Sequence, residues 1–216
     1  MPLPEETLAG ILCAVMALAN SPSLALRIAT LFYNYLRPGE SDNLTIADLR
    51  PPVYGRNPGL HHWTLNLADF DWGKPSKTQT FDDAVLCDHP SWLGPALGRL
   101  AAGAAPTQPL FADSHDRLLE VWNLVMKRLH LPQTVLYQCR HGGASEDTLA
   151  RRRTPLEVMS RGRWQAMTSV RRYAKAAQIQ KYLDLVPLPT RQYCQWALTN
   201  LELFMTGKIR PRMPPP

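Results

Sequence analysis

A chain of 216 residues with 45% hydrophobic and 19% charged residues is long enough to bury a core and too apolar for a disordered polymer. Its four cysteines, Cys13, Cys87, Cys139 and Cys194, lie far apart with no CxxC pair, which argues against a disulfide framework or a metal site and fits a reducing intracellular setting. The net charge is +6, and it is unevenly placed, as the C-terminal half makes clear below.

Residues 4–36 read as two helices. Pro4-Glu5-Glu6 suits a helix N-terminus, Asn20-Ser21-Pro22-Ser23 is a break, and a second apolar-periodic segment runs over 24–36 until Pro38-Gly39 ends it. The apolar run 8–19 inside the first helix is too short to span a bilayer, and the acidic residues before it are wrong for a secretion signal. Three short β-inclined runs follow at 44–46, 62–67 and 81–87, separated by Pro51-Pro52, Asn57-Pro58-Gly59 and Gly73-Lys74-Pro75-Ser76, and they predict a three-stranded antiparallel sheet. Helical spacing then returns near 91–104, 115–129, 138–150, 155–161, 166–183 and 190–206, punctuated by Pro106, Pro132, Pro155, Pro187 and Pro189. The expected class is mostly α with a small three-stranded antiparallel β-sheet, an α+β fold. The expected layout is a domain over 1–186, a helix over 187–207 whose stripe of Tyr193, Trp196, Ala197, Leu201 and Phe204 packs either on its own domain or on a neighbouring protomer, and a frayed basic, proline-rich tail over 208–216.

Charge concentrates between Arg140 and Lys175. That window holds nine Lys/Arg against three acids, Glu146, Asp147 and Glu157, so its +6 equals the net charge of the whole chain. A basic surface so concentrated, with Tyr173 embedded in it, suggests phosphate chemistry. Arg151, Arg152 and Arg153, with Arg161, Arg163, Arg171 and Arg172, are candidate contacts to a nucleic-acid backbone; the bland reading of the arginine triplet is a solvated helix face.

Five motifs stand in order along the chain. They are Arg37-Pro-Gly-Glu40 at a helix end, Ser76-Lys77-Thr78 in a strand–turn–strand, Tyr137-Gln-Cys-Arg140-His141, Gly162-Arg-Trp164, and Tyr173 nine residues after Trp164. In this the chain resembles the catalytic domain of the tyrosine recombinase (phage integrase) family over roughly residues 4–185. That family carries Arg-x-x-Glu, a hairpin lysine, His-x-x-Arg-His, and a His or Trp nine residues before its nucleophilic tyrosine.

The resemblance implies the family's catalytic-domain fold and DNA strand cleavage and rejoining, as in site-specific recombination or integration by a mobile element. Arg37 and Arg140 would hold the phosphate oxygens through charge-assisted bidentate hydrogen bonds. Trp164 would add an indole N–H, and Tyr173 would attack phosphorus to leave a covalent 3′-phosphotyrosine. Lys77, or Lys74 in the same turn, would protonate the departing 5′ oxygen. Glu40 would orient an arginine and His141 would support the site from behind. No cofactor and no metal are implied, since the arginines do what divalent cations do elsewhere. Tyr137 departs from the pattern by standing where the family has histidine; its hydroxyl can donate a hydrogen bond but is a poor base near neutral pH.

The implied partners are double-stranded DNA, further copies of the chain assembled on it, and a separate N-terminal DNA-clamping domain, with no membrane; the implied location is intracellular and DNA-associated, in the nucleus of a eukaryote. A type IB topoisomerase would share the chemistry. A DNA-binding remnant of the same fold, without catalysis, is the reading from a different class.

Overall fold

A computed structural model describes residues 1–55, 57–68, 83–170 and 176–216. It is mostly helical with one small sheet, as the α+β expectation requires.

Helix α1 (Glu5–Ala19) is the centre of the molecule, with every residue from Thr7 to Val15 buried. A helix apolar all round belongs inside a bundle, and α2 (Pro22–Tyr33), α5 (His115–Arg128), α6 (Tyr137–Leu149) and α10 (Leu188–Thr199) surround it. Asn20 stops α1 by turning left-handed at φ 48°, and Ser21 starts α2 by accepting the Leu24 N–H at 3.2 Å with Pro22 in the first turn. α2 lies unusually close to α6, because Gly142 and Gly143 face it: a side chain on Gly143 would overlap the Phe32 carbonyl oxygen, and one on Gly142 the carbonyl oxygen of Leu3.

The strands are β1 (Leu49–Arg50), β2 (Thr64–Ala68) and β3 (Asp83–Leu86), antiparallel in the order β1-β2-β3. Leu49 pairs with Leu65 and Leu65 with Val85, which puts three buried apolar side chains on one face of the sheet. Trp63, just before β2, lies over Gly94 and Gly98 of α4 (Leu93–Ala101) and ties the sheet to the helices. The first strand is displaced from the expected 44–46. Residues 44–46 do run extended, but they bridge antiparallel to Pro109, with Leu110 N–H on the Leu44 carbonyl and Ile46 N–H on the Gln108 carbonyl, both at 2.9 Å. Asp48 then accepts from the backbone and hydroxyl of Thr45, at 2.7 and 2.8 Å, closing a single 3₁₀ turn, and pairing within the sheet begins at Leu49.

After α6 come α7 (Pro155–Arg161), α8 (Met167–Val170), α9 (Ala176–Asp184), α10 and α11 (Leu201–Met205). Thr154 and Glu157 form a reciprocal capping box at the start of α7. The helix expected over 166–183 is described as α8 and α9, with 171–175 outside the described residues. The one expected over 190–206 is divided at Asn200.

At the C-terminus the stripe takes one of the two packings left open, and the tail expected to fray makes contacts. The stripe of α10 and α11 packs in cis, with Tyr193, Ala197, Leu201 and Phe204 buried in the common core and Trp196 half-buried against it, so 187–207 is part of the domain rather than an arm held out for a neighbour. Burial on this scale is worth roughly 1.5–3 kcal/mol per large apolar side chain, and a helix that had to dock elsewhere would forfeit it. The tail is also tied down. The Arg212 carbonyl accepts from Tyr193 Oη at 2.8 Å and from Cys13 Sγ at 3.4 Å, the Arg212 guanidinium lies 5.7 Å from the centre of the Trp196 ring, and Pro214 is buried. Among the described residues no helix is long and apolar enough to cross a membrane.

Candidate functional site

The site forms where the C-terminus of α2 meets the start of α6 and the end of α7. A helix end leaves carbonyls without intrahelical donors and carries partial negative charge, so it attracts cations. Three arginines converge here. Arg161 donates to the Tyr33 carbonyl through Nε at 3.1 Å and Nη2 at 2.8 Å. Arg140, in the first turn of α6, donates through Nη1 to the Tyr35 carbonyl at 2.5 Å and through Nη2 to the Gly162 carbonyl. Arg163 adds a longer contact to Tyr35 at 3.4 Å. The close approach of α2 to the glycines of α6 is what brings Arg140 within reach of that corner.

Arg37 follows directly, between α2 and α3 (Pro38–Asp42). Glu40, one turn on, accepts from the Arg37 backbone N–H at 2.6 Å and from its guanidinium at 2.7 Å. The same carboxylate accepts from Arg163 Nη2 at 2.6 Å and lies 3.9 Å from Arg140 Nη1. One carboxylate therefore serves three guanidiniums. Trp164 closes the group: its ring carries the Arg140 guanidinium 4.9 Å from the centroid and leans on Tyr35 at 6.1 Å. Gly162 is required beneath it, since a Cβ there would overlap the indole.

Of the residues expected to act together, Arg37, Glu40, Arg140 and Trp164 are brought into one cluster. Arg163, expected only as a backbone contact, joins it as a full member. Tyr137 opens α6 beside them, 39% exposed, with its ring edge-on to that of His141 one turn later at 4.9 Å. Lys77, the competing Lys74, Tyr173, Arg171 and Arg172 lie outside the described residues.

Two expectations change in detail. Arg140 is fully buried, with both terminal nitrogens engaged by carbonyls, while its Nε has no hydrogen-bond partner among the described residues. It is a strut under the site, and Arg37, 22% exposed, is the guanidinium that solvent reaches. Burial pushes the Arg140 pKa down to about 10, helped by the like charges of Arg163 and Arg37 and opposed by Glu40.

The second change concerns the arginine triplet. Arg152 pairs with Asp147 at 2.8 Å, Glu5 at 3.3 Å and Glu146 at 3.4 Å. Arg153 pairs with Asp88 at 2.8 Å and Asp147 at 2.9 Å, and Arg161, almost buried, with Asp88 at 3.1 Å. Arg152, Arg153 and Arg161 are thus paired with carboxylates of their own chain, and Arg151 alone of the triplet is turned outward with no ion pair among the described residues.

These acid partners, of which Asp147 is buried, were the residues that sequence reasoning missed. Asp147 also receives the Tyr35 hydroxyl at 2.5 Å, which with burial holds that phenol's pKa well above its usual value. No group of three or more His, Cys, Asp or Glu side chains among the described residues could hold a metal ion, and all four cysteines are buried and free. No protein-family model, no curated protein and no solved structure matches the chain.

Proposed function

We propose that the chain binds the phosphodiester backbone of double-stranded DNA at the Arg37–Glu40–Arg140–Arg163–Trp164 cluster and cleaves and rejoins it as a tyrosine recombinase does. The observation that carries the reading is the convergence of Arg37, Arg140 and Trp164, three residues remote in sequence, around one carboxylate. Nothing in helix packing alone requires like charges to gather. An oxyanion is what such a group is suited to hold, and guanidiniums hold it without changing protonation during the reaction.

On this reading Tyr173 is the nucleophile. Its oxygen forms a bond to phosphorus as the bond to the 5′ oxygen breaks. The phenolic proton passes to solvent water, and the 5′ oxygen gains one from Lys77, so the energy of the broken ester is kept in the phosphotyrosine for rejoining. Arg37 carries the charge that grows on the non-bridging oxygens, and Arg140 fixes the corner from which Arg37 projects.

A specific observation favours a second reading, in which phosphate is bound without strand transfer. Arg140 is fully buried and doubly bonded to carbonyls, and Tyr137 supplies no base.

A duplex nicked near its cleavage site separates the two. Strand transfer leaves a denaturation-resistant protein–DNA adduct that Tyr173→Phe abolishes. Salt-sensitive binding without an adduct selects the second reading, and the absence of salt-sensitive binding refutes both.

A further inference from the structure

The loop between β1 and β2 turns its apolar side chains outward. Its backbone closes on itself: the Val53 N–H donates to the Leu60 carbonyl at 2.8 Å and the Leu60 N–H to the Asn57 carbonyl at 3.1 Å, with one 3₁₀ turn over Pro58–His61. Compact loops of this kind pack around their own side chains. Here Tyr54 is 81%, Val53 61% and Leu60 52% exposed.

Tyr54 is nonetheless held in place. Its ring leans on that of His61, with centroids 5.7 Å apart and planes 39° from parallel. His61 Nε2 in turn lies 2.9 Å from the Gly55 carbonyl oxygen, to which it donates when that nitrogen carries the proton. A single exposed apolar side chain calls for no explanation. Three on a loop closed by its own hydrogen bonds, the largest braced by a second ring, make a surface whose ordering cost is met before anything binds.

Charge indicates what that surface fits. The sequence holds no Asp or Glu between Asp48 and Asp69. Arg50, at the foot of the loop opposite Thr64, is exposed, and so are His61 and His62. An acid-free aromatic surface beside a guanidinium suits a polyanion that offers flat faces. That is a nucleic acid with unpaired bases, since in a duplex each face is covered by its neighbours. We propose that Tyr54, braced by His61, is a stacking site for an unpaired base of single-stranded nucleic acid, with Arg50 taking an adjoining phosphate. The site uses none of the residues of the Arg37 cluster and does not depend on strand transfer there.

The test measures the affinity of the full chain, by fluorescence anisotropy over a range of salt, for a labelled single-stranded DNA, the RNA of the same sequence and the blunt-ended DNA duplex. Tyr54 is 81% exposed, so Tyr54→Ala melts with the wild type. It binds single strands about tenfold more weakly, the loss of one stacked base, and its duplex affinity is unchanged. Tyr54→Phe keeps the ring and with it the affinity. Arg50→Ala lowers the magnitude of the log–log salt slope for single strands by about 0.7, the share of one phosphate. A loss with DNA alone or with RNA alone supports the site and names its ligand. A folded Tyr54→Ala with wild-type affinity for single strands overturns the proposal and leaves the loop to a protein partner. An equal loss on the duplex overturns stacking in favour of a backbone contact, and an unchanged slope in Arg50→Ala overturns the phosphate contact. A wild-type chain that does not bind single strands overturns the site outright. Binding and adduct formation at the Arg37 cluster are read from duplex DNA, so either site can fail without the other.

Discussion

Asp88→Asn tests whether the basic window is an internal scaffold or a DNA-facing surface. Asp88 accepts Arg153 Nη2 with both oxygens, at 2.8 and 2.9 Å, and pairs with Arg161 Nη1 at 3.1 Å. Burial pushes its pKa up, but Arg161 and Arg153 together outweigh this and hold the carboxyl below its ordinary value of 3.8. The asparagine keeps the shape and one acceptor while removing the charge. Arg153 retains Asp147 at 2.9 Å, whereas Arg161 keeps only its carbonyl bonds to Tyr33 and loses the carboxylate it touches. Stranding a buried charge costs roughly 3–5 kcal/mol. The 22% exposure of Asp88 and the surviving carbonyl bonds reduce this, and a loss of about 2 kcal/mol is expected. In urea that is a midpoint lower by about 1 M with unchanged slope. Because the folded pKa is depressed, the stabilisation from Asp88 is fully present above pH 3.8 and is lost as pH falls through the folded pKa below it; the variant lacks that component of acid sensitivity. DNA affinity and its salt slope stay as in the wild type. A stability loss below about 0.5 kcal/mol would refute the internal-scaffold argument, and so would a rise in salt-dependent DNA binding, which would mean that Arg153 and Arg161 are free to turn outward.

Gly162→Ala introduces a Cβ into the Trp164 ring and destabilises by about 1–3 kcal/mol through overpacking; moving the indole off Arg140 also weakens DNA binding, and an unchanged melting temperature and affinity would show that the ring has room to move. Truncation after Val186 removes the buried Tyr193, Leu201 and Phe204, a loss of roughly 6 kcal/mol before the exposure of α1 is counted, so the cooperative thermal transition seen by circular dichroism disappears. A truncated monomer that still melts cooperatively would return the C-terminal helices to a role between protomers.

The parts of the structure legible in the sequence were those governed by neighbours in the chain. Apolar spacing and proline or glycine punctuation located α1, α2, α5, α6 and α7, because helix faces and caps are read within one or two turns. The first strand of the sheet lies at Leu49–Arg50 rather than 44–46 because the extended 44–46 run pairs with the segment around Pro109, a partner that sequence distance hides. An apolar stripe does not say which surface covers it, which is why α10 could be placed on a helix but not on α1 until the fold was seen. Charge was the least legible, since compensation is a matter of space. Asp88 neutralises arginines some seventy positions away, and Glu5 reaches Arg152 from the other end of the chain. Five of the nine Lys/Arg in the Arg140–Lys175 window therefore fall into two populations. Arg152, Arg153 and Arg161 are matched by Glu5, Asp88, Glu146 and Asp147 and hold the helices together. Arg140 and Arg163, joined by Arg37 from outside the window, share Glu40. The first population could be exchanged for apolar packing without loss of fold. The second places three guanidiniums against one carboxylate, and an anionic ligand seated beside them would ease their mutual repulsion.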